Sequence, residues 1–322
     1  MTKLGVIFHP KFPVETLADY ARRAEAAGFD ELWLWDDCFT PGALTAAAIA
    51  LAATHTLNIG IGLMPATAYN PLFAAMEITT LARTFPGRLL AGFGHGVGSW
   101  MKQINAAPAS SLGTLEATVD VVRRLLAGET VSMRNPHLAL DNLQMQTIPA
   151  QAPPLFVGAM REKTLQLAGR VGDGSILPNL SSPAYVRWCW RHVRAGMTQS
   201  GRDTHHMVVF LDAKVSADGI SARDVMRQAL AARWPWTDIQ VEHCGIDVAQ
   251  LSALLSRGRA AASEIPDSWI DAIAAAGTPE QVRQALRRWI DAGIDHLVLQ
   301  PLDGDPECLD EYARLLMPKW RL

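Results

Sequence analysis

Short apolar runs recur along this chain, and nearly every one is followed by an amphipathic stretch with helical period. That rhythm constrains the fold more than any other feature, because alternating strands and helices build right-handed crossover units around a parallel sheet. The runs fall at residues 4–8, 31–35, 57–64, 88–94, 155–158, 175–178, 207–215 and 296–300. Most are apolar throughout rather than alternating, as strands buried on both faces are. Helices are expected at 13–26, 43–53, 71–83, 112–127, 162–170, 183–200, 276–292 and in a final segment ending near Met317. Pro13 and Pro71 open two of them, Thr278-Pro279-Glu280 starts another, and Gly28 and Gly293 stand at two ends, where the backbone preferences of Pro and Gly belong. Helical segments cover roughly 221–257, interrupted near Trp234-Pro235-Trp236. Residues 99–111 read as a loop and 129–146 as an irregular or short-stranded excursion.

Eight such units predict an α/β fold of (β/α)8 barrel type with insertion segments, as a single domain over residues 1–322. A doubly wound sheet with a second domain is the best rival. It lacks support, because the glycines of Gly92-Phe93-Gly94-His95-Gly96-Val97-Gly98 fall on alternate residues and follow the fourth strand. A dinucleotide fingerprint needs GxGxxG after the first.

Composition removes several functions. Hydrophobic residues at 49% against 19% charged exclude disorder over most of the length. A net charge of −3 argues against a general nucleic-acid binder, which needs a basic face. The four cysteines form no CxxC pair, so no metal site is expected. The N-terminal apolar run is too short for a signal peptide, and the Ala-rich run 44–53 is too short to cross a bilayer. A cytoplasmic protein with reduced thiols and no membrane contact is the expectation.

A barrel carries its active site at the C-terminal strand ends, which turns the strand runs into a candidate set. His9 and Pro10 follow the first strand, Asp36, Asp37 and Cys38 the second, and 64–71 the third. Gly94, His95 and Gly96 follow the fourth, and Gly158, Ala159, Met160 and Arg161 the fifth. Pro178 and Asn179 follow the sixth, and Gln300 and Pro301 the eighth. The two aspartates read either as acid/base groups and ligand acceptors or as a helix cap and a loop charge. Neighbours on an extended chain point opposite ways, so one of the two faces the pocket. The glycines around His95 allow a ligand close to the backbone. The segment 158–161 precedes a helix, and backbone N–H groups at a helix start with an arginine alongside make an anion site. Trp100 stands out among the tryptophans for its place in the loop after the fourth strand. There is no GxSxG, HExxH or P-loop, so an organic cofactor that supplies the chemistry fits better than a protein nucleophile.

Taken in order, the segments 4–8, 21–35 (ARRAEAAGFDELWLW), 58–71 (NIGIGLMPATAYNP), 86–101 (PGRLLAGFGHGVGSWM), 154–161, 165–174 (LQLAGRVGDG) and 277–301 (GTPEQVRQALRRWIDAGIDHLVLQP) resemble the bacterial luciferase-like monooxygenase superfamily. Within it, the GHGV…WM stretch looks most like the branch of methylenetetrahydromethanopterin reductase and other oxidoreductases that use the deazaflavin coenzyme F420. The resemblance implies hydride transfer between F420 and an unidentified small organic substrate, with the ring at the barrel mouth. FMN is the alternative cofactor, in a monooxygenase fed by a separate reductase. A non-catalytic flavin-binding paralogue is the third possibility.

By the same resemblance, a bulge at Gly62 and Leu63, with Met64 beyond, supports the ring from behind. Asp36, Asp37 and Cys38 lie beside the ring, and Gly94, His95 and Gly96 flank it. Gly158, Ala159, Met160 and Arg161 hold the cofactor phosphate. Asp37, His95 and His9 are the candidates for catalysis. The chain departs from the family where Tyr69-Asn70 precede Pro71 in place of a cationic residue, and where Asp36-Asp37-Cys38 replace a strand-two histidine. A homodimer through the early helices is implied, as is a flavin or F420 reductase partner.

Overall fold

In the computed structural model, residues 2–234, 241, 243–302 and 306–320 are described. Eleven strands are present among them: β1 (Lys3–Phe8), β2 (Glu31–Leu34), β3 (Asn58–Pro65), β4 (Leu89–Gly94), β5 (Val131–Arg134), β6 (Ala139–Leu143), β7 (Leu155–Gly158), β8 (Gly174–Leu177), β9 (His206–Val215), β10 (Ala275–Gly277) and β11 (His296–Pro301). Eight of them pair in parallel in the order β1-β2-β3-β4-β7-β8-β9-β11, and β11 returns to β1, which closes a (β/α)8 barrel. The helices outside it include α1 (Leu17–Ala27), α2 (Ala43–Ala53), α3 (Pro71–Thr84), α4 (Gly98–Gln103), α5 (Ser111–Leu126), α6 (Glu162–Val171), α7 (Pro183–Ser200) and α8 (Gly219–Arg233).

Two apolar layers explain why the strands read as continuous hydrophobic runs. Inward-pointing Ile7, Trp33, Leu90, Phe156, Ile176, Val208, Phe210 and Val298 fill the barrel, and a larger cluster lies between strands and helices. The interior takes bulk only where a neighbouring strand has none. The Trp33 ring lies 2.2 Å from where a β-carbon on Gly60 would stand, so any larger residue at 60 would displace it. At the barrel floor the buried Glu31 accepts from Trp33 Nε1 at 2.8 Å and meets His296 Nδ1 at 2.7 Å. Paired in this way, a carboxylate inside the sheet is not left unsatisfied.

Two insertions depart from the barrel. Strands β5 and β6 form an antiparallel hairpin after α5. Between β9 and β11 lie α8, the helices Val248–Ser256 and Asp267–Ile273, and β10, around a second apolar cluster that includes Met226, Leu230, Leu251 and Ile270.

Three expectations need adjustment. Residues 98–103 form the short helix α4 rather than loop, anchored by buried Met101; six residues are too few to show a helical period. The helix expected at 276–292 begins only at Pro279, because Ala275–Gly277 pairs with β9 as a strand. Tertiary pairing there overrides the helix propensity of alanine. The first helix opens as a single 3-10 turn, Val14–Thr16, before α1, which ends on Gly28 at φ 88°. Helix α8 ends at Arg233, where the interruption was expected; Pro235 and Trp236 lie outside the described residues.

Candidate active site

The C-terminal strand ends of β2, β3, β4, β7 and β8 surround a mainly apolar cavity of about 500 Å³. Its floor begins with a break in β3. The β3–β4 register shifts between Ile61 and Met64, so Gly62 and Leu63 form a bulge. The bulge turns Leu63 into the cavity and leaves Met64 fully buried in the layer between barrel and helices. Within the bulge, a β-carbon on Gly62 would stand 2.7 Å from the Leu34 carbonyl oxygen. The Leu63 side chain lies over two further glycines. Its Cδ1 is 2.4 Å from the β-carbon position of Gly158 and 3.2 Å from that of Gly94. Two backbones without side chains therefore make room for one leucine, and the result is an apolar surface.

The two aspartates part company. Asp36 Oδ1 accepts from the Ala43 amide at 3.0 Å at the start of α2, and Oδ2 accepts from the Tyr69 hydroxyl at 2.6 Å. Burial and Asp36 together raise the Tyr69 phenol well above its usual range, so it stays a donor. Asp37 also lines the cavity, and its carboxylate has no hydrogen-bond partner among the described residues. Burial first, and then the Asp36 charge, raise the Asp37 pKa. The half-buried Cys38 is beside them but outside the cavity lining. Phe39 follows at φ 71°, a strained conformation for a bulky residue, and meets Trp100 of α4 edge-on at 6.1 Å.

His95 is held at both ring nitrogens. Nδ1 is 3.2 Å from the Ser111 carbonyl and Nε2 is 3.1 Å from the Thr164 hydroxyl. A carbonyl only accepts, so the proton sits on Nδ1 and Nε2 accepts from Thr164. Burial lowers the His95 pKa, against the pull of the Ser111 carbonyl, and keeps the ring neutral at pH 7. Gly94 and Gly96 line the cavity on either side, Gly96 at φ 71° with its open face against Met101.

Opposite lies the start of α6. Gly158, Ala159, Met160 and Arg161 run from β7 into this helix, and all four line the cavity. Helix α6 has no side-chain cap, as is also true of α1, α2 and α4, whereas α3, α5, α7 and α8 are capped by Asn70, Ser110, Ser182 and Asp218. The exposed Arg161 side chain has no partner among the described residues. Uncapped amides, the positive helix end and a free guanidinium favour an anion there.

His9 lies elsewhere. It faces a separate groove, and its ring is 5.1 Å from Trp35, which in turn stacks on Phe210 at 6.5 Å. Phe210 lines the cavity, so an aromatic wall separates it from His9. Burial, with Lys11 and Arg233 nearby, lowers the His9 pKa to about 4.

Sequence reasoning singled out Asp36, Asp37, Leu63, Trp100, Pro178 and the 94–96 and 158–161 segments, which the fold brings to one cavity. It missed Thr164, Ile176 and Phe210. Thr164 was detectable as a first-turn hydroxyl on a helix that starts at the site. The signal for Phe210 was its place two residues before Asp212, an acidic residue inside an otherwise mainly apolar strand.

A family model described as luciferase-like monooxygenase matches residues 2–296. A 5,10-methylenetetrahydromethanopterin reductase of Methanolobus tindarius is 28% identical over 305 residues, covering 91% of this chain and 92% of that protein. An F420-dependent glucose-6-phosphate dehydrogenase of Nakamurella multipartita is 26% identical, covering 97% and 94%. Among solved structures, the coenzyme F420-dependent tetrahydromethanopterin reductase from Methanopyrus kandleri superposes with a TM-score of 0.85 at 19% identity, covering 99% of both chains.

Proposed function

The chain belongs to the luciferase-like monooxygenase family, and from that premise we propose that it is an F420-dependent oxidoreductase acting on a small organic substrate. The observation that carries this reading is the Leu63 platform over Gly94 and Gly158, beside the uncapped start of α6. An apolar surface next to an anion site suits a planar ring system joined to a phosphate. The choice of F420 is supported by the relatives at 26–28% identity, one of which carries that cofactor in its name.

Bound there, F420 would supply a carbon that accepts or gives a hydride. The chain does the rest. Leu63 supports one face of the ring and keeps water from it. The α6 amides and Arg161 hold the phosphate. His95, fixed by Ser111 and Thr164, ties the loop after β4 to the first turn of α6 and so holds both walls at a set distance. Asp37, the unpartnered carboxyl at the rim, holds or moves the proton that accompanies hydride transfer.

A second reading follows from the family's own description: an FMN-dependent monooxygenase, served by a separate flavin reductase. Oxygen uptake separates the two. Hydride transfer predicts no oxygen consumption when the protein is mixed with the reduced cofactor and candidate substrates. Incorporation of one atom of oxygen from O2 into the substrate, with reduced FMN as the reductant, would establish the monooxygenase instead.

The early helices support a homodimer. Ile49 of α2 and Phe73 and Met76 of α3 are exposed at 41%, 61% and 44%, an apolar face that a second copy would cover. Light scattering at a mass twice 35.0 kDa is the expected result. Among the described residues no helix is long and apolar enough to cross a membrane. The four cysteines form no disulfide with one another, which suits a reducing cytoplasm.

A further inference from the structure

The groove that receives His9 has a volume of about 910 Å³ and runs along one face of α8. Ser221, Asp224, Val225, Gln228, Ala232 and Arg233 line it, and this spacing is that of a single helix face. The opposite face, Ala222, Met226 and Leu230, is buried in the second apolar cluster. Helix α8 therefore has a complete apolar side and a second side, polar and small-residued, left open. From Ser221 to Arg233 the helix rises about 18 Å, which sets the length of the groove.

The charges in the groove are not balanced in their availability. Its two carboxylates are already engaged: Asp218 Oδ1 caps α8 by accepting from the Ile220 amide at 3.0 Å, and Asp224 accepts from Arg227 Nη1 at 2.5 Å. Its cations are not. Lys11 and Arg259 are exposed and have no partner among the described residues. Arg233 gives only Nη1 to Asp212, and its remaining nitrogens make no hydrogen bond among the described residues. Asp212 is fully buried and also accepts from Asn179 Nδ2 at 3.3 Å, so it fixes the guanidinium in place at the barrel mouth. His9 Nδ1 accepts from the Lys11 amide at 3.1 Å, which leaves the proton on Nε2 as a further donor.

We propose that this groove is the substrate site, and that the substrate carries an anionic group, a carboxylate or a phosphate ester, received by Lys11, Arg233 and Arg259. The assignment rests on the reading of the first cavity as the cofactor site. The Phe210, Trp35 and His9 rings that part the two are spaced 6.5 and 5.1 Å, so groove and cavity lie within reach of one substrate that keeps its anionic group in the groove. Asp212 is a positioning residue: it acts through Arg233.

Lys11 gives a local readout that needs no cofactor. The whole protein is labelled with a limiting amine reagent, and modification at Lys11 is followed by mass spectrometry. Inorganic phosphate and acetate are the probes, each against chloride at equal ionic strength. At ten times its apparent Kd, a bound probe should slow labelling of Lys11 about tenfold and leave Lys3, at the opposite end of β1, unchanged. Stronger protection by phosphate assigns an ester, and stronger protection by acetate assigns a carboxylate. Arg259→Gln, an exposed change that spares the fold, should remove most of the protection. Equal labelling with and without both probes overturns the proposal, as does protection indifferent to Arg259→Gln. Deazaflavin titrated into the same sample reports on the first cavity separately. Protection of Lys11 without deazaflavin binding would show an anion site cut off from hydride transfer, and so would overturn the substrate assignment.

Discussion

Leu63 fills the space that a side chain at Gly158 would need, its Cδ1 and Cδ2 lying 2.4 and 2.6 Å from the β-carbon position. The apolar platform thus depends on a contact between a bulge in one strand and a missing side chain on another. Gly158→Val would drive Leu63 upward into the cavity. Because the displaced atoms are the far end of a flexible side chain facing open space, the expected loss is in cofactor affinity rather than in folding. Kd for the cofactor should rise at least about tenfold, or ~1.4 kcal/mol, with little change in Tm. Fluorescence titration and thermal unfolding on the same preparation check both halves.

Asp37 is held under strain of a different kind. Burial and the Asp36 charge raise its pKa, so its ionised form at pH 7 costs stability. Asp37→Asn removes that cost together with the proton-handling group. Turnover should fall by about 10²-fold while Tm rises. A variant that keeps its rate would remove Asp37 from the chemistry, and one that loses stability would contradict the cost of its ionised form.

Arg161→Gln tests the anion site at α6. The cofactor Kd should rise by about tenfold, consistent with ~1–2 kcal/mol for a charge at a helix start. The salt dependence of binding should flatten in the variant, because the charge that screening acts upon is gone. A Kd measured at low and high salt in both proteins decides it.

His205 sets an acid limit on stability. Burial, then Arg202, lowers its pKa to about 4, and Ser175 Oγ lies 2.8 Å from its Nε2. The unfolded chain takes up the proton near pH 6.5 while the folded chain resists it to about 4. Stability is therefore full above pH 6.5 and falls as pH drops through that window, by on the order of 2–3 kcal/mol. Urea unfolding at pH 7 and pH 4.5 should show the loss, and His205→Gln should reduce it.

The barrel was legible because its strands are buried on both faces and its helices on one, and burial writes itself into the sequence as period. The short pieces were not. Helix α4 is held by Met101 and β10 by pairing with β9, contacts that no local pattern announces. In the site, the glycines at 94 and 158 could be found by position. What each aspartate does could not, since Asp36 is taken by an amide seven residues on and by Tyr69 thirty-three residues on. Met64 faces the outer core because the bulge changes which side of β3 each residue points to. His9 is separated from the cavity by two rings, Trp35 and Phe210, that only the closed barrel brings together.

The central claim is that the Leu63 cavity binds a deazaflavin for hydride transfer. Titration of the purified protein with F420 and, separately, with FMN, read by fluorescence at low ionic strength, tests it most directly. Saturable binding of F420, with FMN much weaker, is the result predicted. Tight binding of FMN alone would contradict it in favour of the monooxygenase, and binding of neither would remove the cofactor from the cavity altogether.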